Sequence, residues 1–335
     1  MQLLRKIAFP VSLIYGMVVF IRNFLYDIGV FSSSHFKTPI LCIGNLSVGG
    51  TGKTPMVEYL ISVLKSDYKI AVLSRGYKRK SKGYVLATKA STVEDLGDEP
   101  YQVYTKFPEI SMAVDKDRRH GILVLAKNRK PDIILLDDAF QHRKVKPHLS
   151  ILLTSFDNLY CDDWYLPTGD LRDSKREAKR ADLLIVTKCP ADLSEGERSK
   201  IEARLGLKAN QKVLFSFLVY DENVLGSAKM KSLKDLTHKK ITLVTGIADP
   251  APLVNHLMQK GLVFEHLKFG DHHFFTKEEL QHLNTKEVVL TTEKDFVRLK
   301  GKVPNLSYIA VKHAFMGDNE VVLKKTLDRL MLQPR

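Results

Sequence analysis

The sequence predicts an α/β protein with a mostly parallel sheet and helices on both faces of that sheet. From residue 38 onward, short apolar runs alternate with amphipathic stretches of helical length. Strands that alternate with helices favour parallel pairing, because each helix carries the chain back across the sheet. A second observation is the order strand, glycine cluster and helix in "CIGNLSVGGTGKTPMVEYL", residues 42–60. We also expect one helix before the sheet and a smaller α/β unit after it.

The N-terminus predicts a helix that lies in a membrane interface. The stretch "MQLLRKIAFPVSLIYGMVVFIRNFLYDIGVF" has no acidic residue before Asp27. Its uncharged part, residues 7–21, is about fifteen residues long, whereas roughly 20 are needed to span a bilayer, and a proline and a glycine interrupt it. Basic residues that suit anionic headgroups flank this part: Arg5, Lys6 and Arg22. A buried N-terminal helix is the alternative, and a signal peptide is disfavoured because no small-residue cleavage site follows.

Strand candidates occur in two series. The first series comprises residues 39–44, 69–74, 132–137, 149–154, 183–187 and 213–218, with amphipathic stretches such as 53–64 and 117–127 between them. The second series begins near Ile241, where "ITLVTGIADPAPLVNHL" and "EVVLTTEKDFVRL" each predict a strand and a helix, and "SYIAVKH" a further strand. We therefore expect a membrane-associated helix in residues 1–30, a larger domain in 31–220 and a smaller α/β domain in 221–335.

The charge balance narrows the partners that the protein can have. There are 52 Lys and Arg residues against 38 Asp and Glu, a formal net charge of +14. Such an excess favours a nucleic acid, an anionic membrane or an acidic substrate. The sequence contains no nucleic-acid recognition module, so we expect no nucleic-acid partner. The three cysteines lie far apart, which argues against a disulfide framework or a cysteine metal site.

Residues 47–54 predict a phosphate-binding loop. They match the last three positions of the P-loop pattern G-x-x-x-x-G-K-[ST], with Ser47 in place of the first glycine. A strand precedes the motif and a helix follows it, which disfavours a glycine turn without a ligand. Lys53 would reach the β- and γ-phosphates, and the Thr54 hydroxyl would ligate Mg²⁺. We thus expect a P-loop NTPase-like sheet whose nucleotide contacts are Gly49, Gly50, Thr51, Gly52, Lys53 and Thr54.

Asp137 and Asp138 follow an apolar strand in "PDIILLDDAFQHR". A carboxylate at the end of a buried parallel strand can hold Mg²⁺ directly or through water. The structural alternative is an aspartate that caps the next turn. The sequence leaves open which of the two touches the ion directly.

Two further segments carry groups suited to proton transfer. In "EDLGDEP", a glycine and a proline frame Asp98 and Glu99 in an expected loop, so that one could act as general base while the other serves the metal. Solvated acids are the alternative. In "KFGDHHFF", a histidine hydrogen-bonded to a catalytic carboxylate is favoured over a metal site, because no Cys or His partner stands at ligand spacing. A structural role for His272 and His273 is the alternative.

Two basic clusters, "SRGYKRKSKGY" and "LRDSKREAKRAD", complete the set of candidates. The first follows a strand, and so lies at the carboxyl edge of the sheet where ligands bind. One or two of these cations could stabilise charge on a transferring phosphoryl group. We expect the others to be solvated.

Eight short segments occur in one order: "GNLSVGGTGKTP", "SRGY", "GDEP", "DDAFQHR", "GDLR", "RAD", "DHH" and "TTEKD". In this combination the chain resembles the tetraacyldisaccharide 4′-kinases, the lipid A 4′-kinases of Gram-negative bacteria. The resemblance covers nearly the whole chain, including the basic, apolar N-terminal helix. The family also has a residue other than glycine at the position of Ser47.

The resemblance implies a kinase that uses ATP and Mg²⁺ at the cytoplasmic face of the bacterial inner membrane, as a monotopic or peripheral protein. Its substrate would be a lipid A disaccharide 1-phosphate, an anionic glycolipid, which is phosphorylated on its 4′-hydroxyl. No protein partner is predicted.

The resemblance also implies roles for single residues. Asp98 matches the aspartate proposed as base, and His272 matches the histidine that pairs with it. Arg172 matches the arginine of the G-x-L-R motif that contacts phosphate, although Asp173-Ser174 replaces the Glu-Pro common after it. The remaining matches are the P-loop pair Lys53 and Thr54, and acids grouped around the metal and the active site: Glu99, Asp137 and Asp138.

Two other functions remain as alternatives. A membrane-associated P-loop switch would hydrolyse nucleotide in order to act on a protein partner. A nucleic-acid-binding ATPase would require strong, salt-sensitive binding to nucleic acid. The acidic pair Asp98 and Glu99, in a P-loop chain without other switch motifs, favours the lipid kinase.

Overall fold

The structure is a computed structural model that describes residues 5, 7–226 and 232–332. Its strands are β1 Ile40–Asn45, β2 Ile70–Ser74, β3 Val85–Leu86, β4 Ser111–Val114, β5 Ile133–Asp137, β6 Leu149–Ser155, β7 Leu183–Thr187, β8 Lys212–Gly226, β9 Ile241–Thr245, β10 Phe264–Lys268, β11 Val288–Thr292 and β12 Leu306–Phe315. Its α-helices are α1 Phe9–Asp27, α2 Lys53–Leu64, α3 Val93–Leu96, α4 Asp98–Lys106, α5 Arg118–Arg129, α6 Glu195–Leu205, α7 Ala251–Gln259, α8 Lys277–Asn284, α9 Glu293–Leu299 and α10 Asn319–Leu332. Short 3₁₀ helices span Lys175–Arg180 and Leu233–Leu236.

The described strands lie in the order β10-β9-β11-β12-β8-β7-β6-β1-β5-β2-β4-β3. Neighbouring strands pair in parallel except at two places, where β3 meets β4 and where β12 meets β8. The long strand β8 belongs to both halves, because its first residues pair with β7 and its later residues pair with β12. The prediction of a P-loop NTPase-like, mostly parallel sheet is confirmed.

Burial on both faces of the sheet explains why the predicted strands are continuous apolar runs. Strands β1, β2, β5, β7 and β9 are buried at every position, because helices cover both faces of the sheet. The C-terminal helix α10 returns to the first half of the sheet, where Leu323 and Leu327 join the same apolar cluster as Leu60 of α2.

The predicted domain boundary at residue 220 falls inside β8, and this strand runs through the boundary without a break. That division into domains stays a prediction.

One local prediction is wrong. Asp98 and Glu99 do not lie in a loop, because α4 begins at Asp98. Gly97 has φ +89°, which sets the sharp entry into this helix. Pro100 lies in the first turn, where the helix does not need its missing amide hydrogen. Acidic side chains are also favoured there by the helix dipole.

Helix α1 buries its polar and small residues and exposes its large apolar ones. Its buried residues are Ser12, Gly16, Val19 and Asn23, so the side that faces the protein is largely polar or small. The opposite side exposes large apolar residues, among them Val11, Leu13, Ile14, Met17, Val18, Phe20, Ile21 and Phe24. The buried-helix alternative does not fit this arrangement. Among the described residues, α1 is the one helix long and apolar enough to cross a membrane, by length and composition only. Residues 1–4 and Lys6 of the predicted N-terminal segment lie outside the described residues.

Candidate active site

The phosphate-binding loop joins the carboxyl end of β1 to the first turn of α2. Gly49 and Gly52 have φ values of +108° and +78°, which L side chains rarely adopt. Gly52 precedes α2, and no described side chain caps the first amides of that helix. These amides lie at the positive end of the helix dipole and can bind an anion. The loop therefore has the conformation that its sequence predicts.

Lys53 is the cation of this loop. Its side chain is 14% exposed, and its Nζ lies 3.7 Å from Asp138 Oδ1. Lys53 and Thr54 both line a cavity of about 710 Å³. A mostly buried ammonium group beside unpaired helix amides suits the phosphates of a nucleotide.

Asp137 ends β5, next to the end of β2. Ser74 Oγ donates a hydrogen bond of 2.8 Å to Asp137 Oδ2. Burial, together with the charges of Glu99 and Asp138, raises the pKa of Asp137 to about 7. The other oxygen, Oδ1, is buried and has no hydrogen-bond partner among the described residues. A buried carboxylate oxygen without a donor fits a site that a cation completes.

Asp138 instead lies between two cations of the protein. Arg172 Nη1 donates to Asp138 Oδ2 at 2.9 Å, and Nη2 contacts Oδ1. Burial alone would raise the pKa of Asp138, but Lys53 and Arg172 outweigh it and hold that pKa below its usual range. Asp138 is therefore an ionised, engaged carboxylate, whereas Asp137 keeps an oxygen for another ligand.

The acidic groups of the cavity fit Mg²⁺. Within the described ranges, no three Asp, Glu, His or Cys side chains come close enough to hold a metal ion by themselves. Mg²⁺ commonly keeps several waters and takes one or two carboxylates together with substrate phosphates. The residues predicted as ligands, Thr54, Glu99, Asp137 and Asp138, are all among the oxygen donors that line the cavity.

Asp98 and His272 meet in the same cavity. His272 Nδ1 lies 2.7 Å from Asp98 Oδ2, and both side chains are largely buried. Asp98 opens α4, whereas His272 lies in the loop after β10, with φ +60°. The neighbouring His273 bonds to Glu279 at 2.8 Å and stacks on Phe269, so its contacts are structural.

Two cations from α9 complete this cluster, and we did not predict either from the sequence. Arg298 Nη2 donates to Asp98 Oδ2 at 2.6 Å, while Nη1 of the same side chain bonds to Asp295 at 3.0 Å. Lys294 Nζ lies 3.1 Å from His272 Nε2. Burial would raise the pKa of Asp98, but the hydrogen bonds from His272 and Arg298 dominate and hold it below its usual range. Lys294 is the lysine of the "TTEKD" segment, and Arg298 follows that segment three residues later. The segment was part of the resemblance but carried no assigned role.

The basic clusters divide into residues that line the cavity and residues that bond to other parts of the protein. Arg172, Arg75 and Lys78 line the cavity. In contrast, Arg79 turns to the carbonyl of Gly83, and Arg180 pairs with Glu177. The cavity is also lined by apolar and aromatic side chains, namely Leu218, Tyr220, Ile247, Pro252, Ile309 and Val311.

The fold and this site define a P-loop phosphotransferase, because a phosphate cradle, paired carboxylates and a carboxylate–histidine pair share one cavity. The model of the tetraacyldisaccharide-1-P 4′-kinase family matches residues 4–331. This chain therefore belongs to that family.

Individual relatives agree with the family match. The tetraacyldisaccharide 4′-kinase of Flavobacterium johnsoniae is 47% identical over 326 residues, which are 96% of this chain and 95% of the relative. That of Bacteroides thetaiotaomicron is 48% identical over 316 residues, which are 88% of this chain and 83% of the relative.

A solved structure of LpxK from Aquifex aeolicus in complex with ATP is 31% identical, with a TM-score of 0.80, and covers 98% of this chain and 99% of its own. The predictions of family, of a phosphotransferase and of a kinase that uses ATP are thereby confirmed. The findings support the kinase over the nucleotide-hydrolysing switch.

Proposed function

We propose that the protein transfers the γ-phosphate of ATP to the 4′-hydroxyl of a lipid A disaccharide 1-phosphate precursor. The observation that carries this proposal is the contact of 2.7 Å between His272 and Asp98, in the cavity that also holds Lys53 of the phosphate-binding loop. A switch that hydrolyses nucleotide has no need of a carboxylate–histidine pair beside the phosphate cradle. A kinase for a sugar hydroxyl uses such a pair to orient and deprotonate its acceptor.

The residues of the chain supply positioning and charge. Loop amides and Lys53 would hold the β- and γ-phosphates, and Arg172, which bonds to Asp138, lines the same cavity. Thr54, Glu99, Asp137 and Asp138 would hold Mg²⁺, which when bound neutralises charge on the phosphate oxygens. The unpartnered Oδ1 of Asp137 supports this assignment.

The proton of the acceptor goes to the Asp98–His272 pair. As the hydroxyl oxygen bonds to the γ-phosphorus, the bond to the bridging oxygen breaks and ADP leaves. The lowered pKa of Asp98, set by His272 and Arg298 against burial, keeps the carboxylate ionised and able to accept a hydrogen bond from the hydroxyl. A base with so low a pKa is weak, which suits a loose transition state in which the hydroxyl loses its proton late.

We further propose that α1 lies in the interface of the cytoplasmic face of the inner membrane. The support is the row of apolar side chains about half exposed on its outer side, such as Ile14 at 60% and Val18 at 57%. The net charge of +14 favours an anionic surface. A lipid-linked sugar would then reach the cavity from the membrane plane.

A phosphate-transfer assay tests the proposed function. Detergent-solubilised protein is mixed with γ-labelled ATP, Mg²⁺ and lipid A disaccharide 1-phosphate. We expect label in the lipid, and expect Asp98→Ala to abolish it while ATP still binds. ATP hydrolysis without labelled lipid, across substrates of several acylation states, would overturn the proposal.

Vesicle sedimentation tests the proposal for α1. We expect the wild type to bind vesicles that contain anionic lipid. The double variant that carries both Ile14→Asp and Val18→Asp should remain in the supernatant. Leu123 is also exposed, at 60%, but lies on α5, so Leu123→Asp is the matched control and should bind as the wild type does. Equal binding by all three proteins would contradict an interfacial α1.

A further inference from the structure

Helix α1 directly contacts the segment that carries Arg172. We call residues 163–174 the arginine loop, which runs between α1 and the phosphate-binding loop. On one side, Val48 N donates to Asp170 O at 2.7 Å and Arg172 N donates to Leu46 O at 2.9 Å. These bonds tie the arginine loop to the chain that forms the phosphate cradle.

On the other side, two side chains of α1 hold the arginine loop. Tyr15 donates its hydroxyl hydrogen to the backbone oxygen of Arg172 at 3.0 Å. Asn23 Nδ2 donates to Asp173 Oδ1 at 2.7 Å. Two residues about two turns apart on one helix therefore hold the arginine loop, one through the backbone oxygen of Arg172 and the other through the side chain of Asp173. The Arg172 side chain extends to Asp138.

The second of these contacts is deeply buried. Asn23 is 3% exposed and Asp173 is fully buried. Asn23 Oδ1 and Asp173 Oδ2 have no hydrogen-bond partner within the described residues. The Asp173 carboxylate thus depends on the Asn23 amide and on the amide of Ser174, which donates at 2.8 Å. A buried carboxylate with so few donors is sensitive to the loss of either one.

We propose that Tyr15 and Asn23 are positioning residues that hold Arg172 in its bidentate contact with Asp138. Because the outer side of the same helix is apolar and exposed, the seating of α1 in a membrane interface and the placement of Arg172 are coupled. The inference rests on the proposed function, since it assumes transfer to an acceptor that is presented at the membrane.

The test compares Tyr15→Phe and Asn23→Ala with Ser12→Ala. Ser12 is a matched control, because it also bonds from α1 to the arginine loop, at 2.7 Å to Thr168, but away from Arg172. We expect Tyr15→Phe to lower kcat roughly three- to tenfold, the range of one neutral hydrogen bond, with KM for ATP and vesicle binding unchanged. Asn23→Ala should lower kcat by at least as much, because its hydrogen bond is to a carboxylate. Ser12→Ala should keep the wild-type kcat. Tyr15→Phe removes only a hydroxyl, so it remains informative if Asn23→Ala does not fold.

A double-mutant cycle separates positioning from a general structural effect. In the Arg172→Lys background, which cannot make the bidentate contact, Tyr15→Phe should change kcat by less than about twofold. Additive losses in the cycle, an equal loss in Ser12→Ala, or wild-type kcat in Tyr15→Phe would each overturn the inference. If the wild type itself labels no lipid, the proposed function fails; if the wild type labels lipid and the cycle is additive, only this inference fails.

Discussion

Arg298 donates a hydrogen bond of 2.6 Å to Asp98, a residue 200 positions earlier in the chain. His272 Nδ1 contacts the same oxygen, Asp98 Oδ2. Two side chains from the second half of the sequence therefore meet at one carboxylate oxygen of a residue in the first half. Arg298 is anchored in turn by Asp295, a fully buried residue of the same helix. The ionisation of Asp98 is therefore set by residues outside the phosphate-binding half of the molecule.

Replacing Arg298 tests this relationship. We expect Arg298→Gln to lower kcat by about ten- to a hundredfold, the range for a lost charge-assisted hydrogen bond. His272 and Arg298 hold the pKa of Asp98 down, so removing Arg298 raises it, and the acidic limb of the kcat profile should move to higher pH. Arg298→Lys keeps the charge, so its kcat and the pH of its acidic limb should lie between those of the wild type and of Arg298→Gln. A profile that falls uniformly at all pH values would contradict the electrostatic role.

Much of the sheet could be predicted from the sequence. The fully buried strands β1, β2, β5 and β7 are short apolar runs, and the predicted bounds agree with them to within about two residues. The strand β10, Phe264–Lys268, was missed because it lies at the edge and alternates partly buried with exposed residues. The second half of β8 was missed because the polar residues Asp221 to Asn223 interrupt its apolar pattern, where the pairing with β12 shifts register.

The site could be predicted only in part. The phosphate loop follows strand β1 and Asp137 ends strand β5. The carboxyl ends of parallel strands meet at one edge, so local sequence placed them together. The roles of Asp98 and His272 were implied by the resemblance, and the structure brings these two residues into contact. Lys294 and Arg298 lie on an ordinary short helix, and local sequence carries no information on which distant carboxylate a helix will approach.

The raised pKa of Asp137, about 7, links Mg²⁺ binding to a proton. A carboxylate must lose its proton before it ligates a cation, so the Mg²⁺ concentration for half-maximal activity should fall as pH rises from 6 to 8. Asp137→Asn should weaken Mg²⁺ binding and remove most of that pH dependence. Calorimetric titration of Mg²⁺ at pH 6 and pH 8, with a non-hydrolysable ATP analogue present, measures both effects. Equal affinities in the wild type at the two pH values would contradict the assignment.

Gly52, in the phosphate-binding loop, has a backbone conformation that favours glycine. Its φ of +78° strains any L side chain, and a Cβ atom built there would lie 3.0 Å from His313 Nε2. We expect Gly52→Ala to cost roughly 1–2 kcal/mol of stability and to raise KM for ATP, because the amides of the cradle must shift. Gly196→Ala is the control, since a Cβ there meets nothing within 4 Å. Thermal denaturation and ATP titration of both variants check the prediction, and an unchanged ATP affinity in Gly52→Ala would contradict it.

A buried ion triad joins three helices at the cavity, which one of its members, Glu293, lines. Lys106 of α4 lies 2.6 Å from Glu58 of α2 and 3.0 Å from Glu293 of α9, and both carboxylates are less than 10% exposed. Burial, and next the charge of Glu293, raise the pKa of Glu58 from 4.5 to about 7. Between these values the folded protein binds more protons at this site than the unfolded chain, so rising pH lowers the free energy of unfolding across that window.

The charge of Lys106 should therefore matter most above neutral pH. We expect Lys106→Met to lower the free energy of unfolding by about 3 kcal/mol at pH 8, because two buried carboxylates lose their cation, and by less at pH 5, where they take up protons. Glu58→Gln removes one titrating group and should flatten the dependence on pH between 5 and 8. Lys65→Met is the control, because Lys65 pairs with Glu109 at the surface, where both side chains are more than a third exposed and the pair contributes little. Urea denaturation of the three variants and the wild type at both pH values measures these differences, and an equal loss for Lys106→Met at pH 5 and pH 8 would show that its charge is not what stabilises the triad.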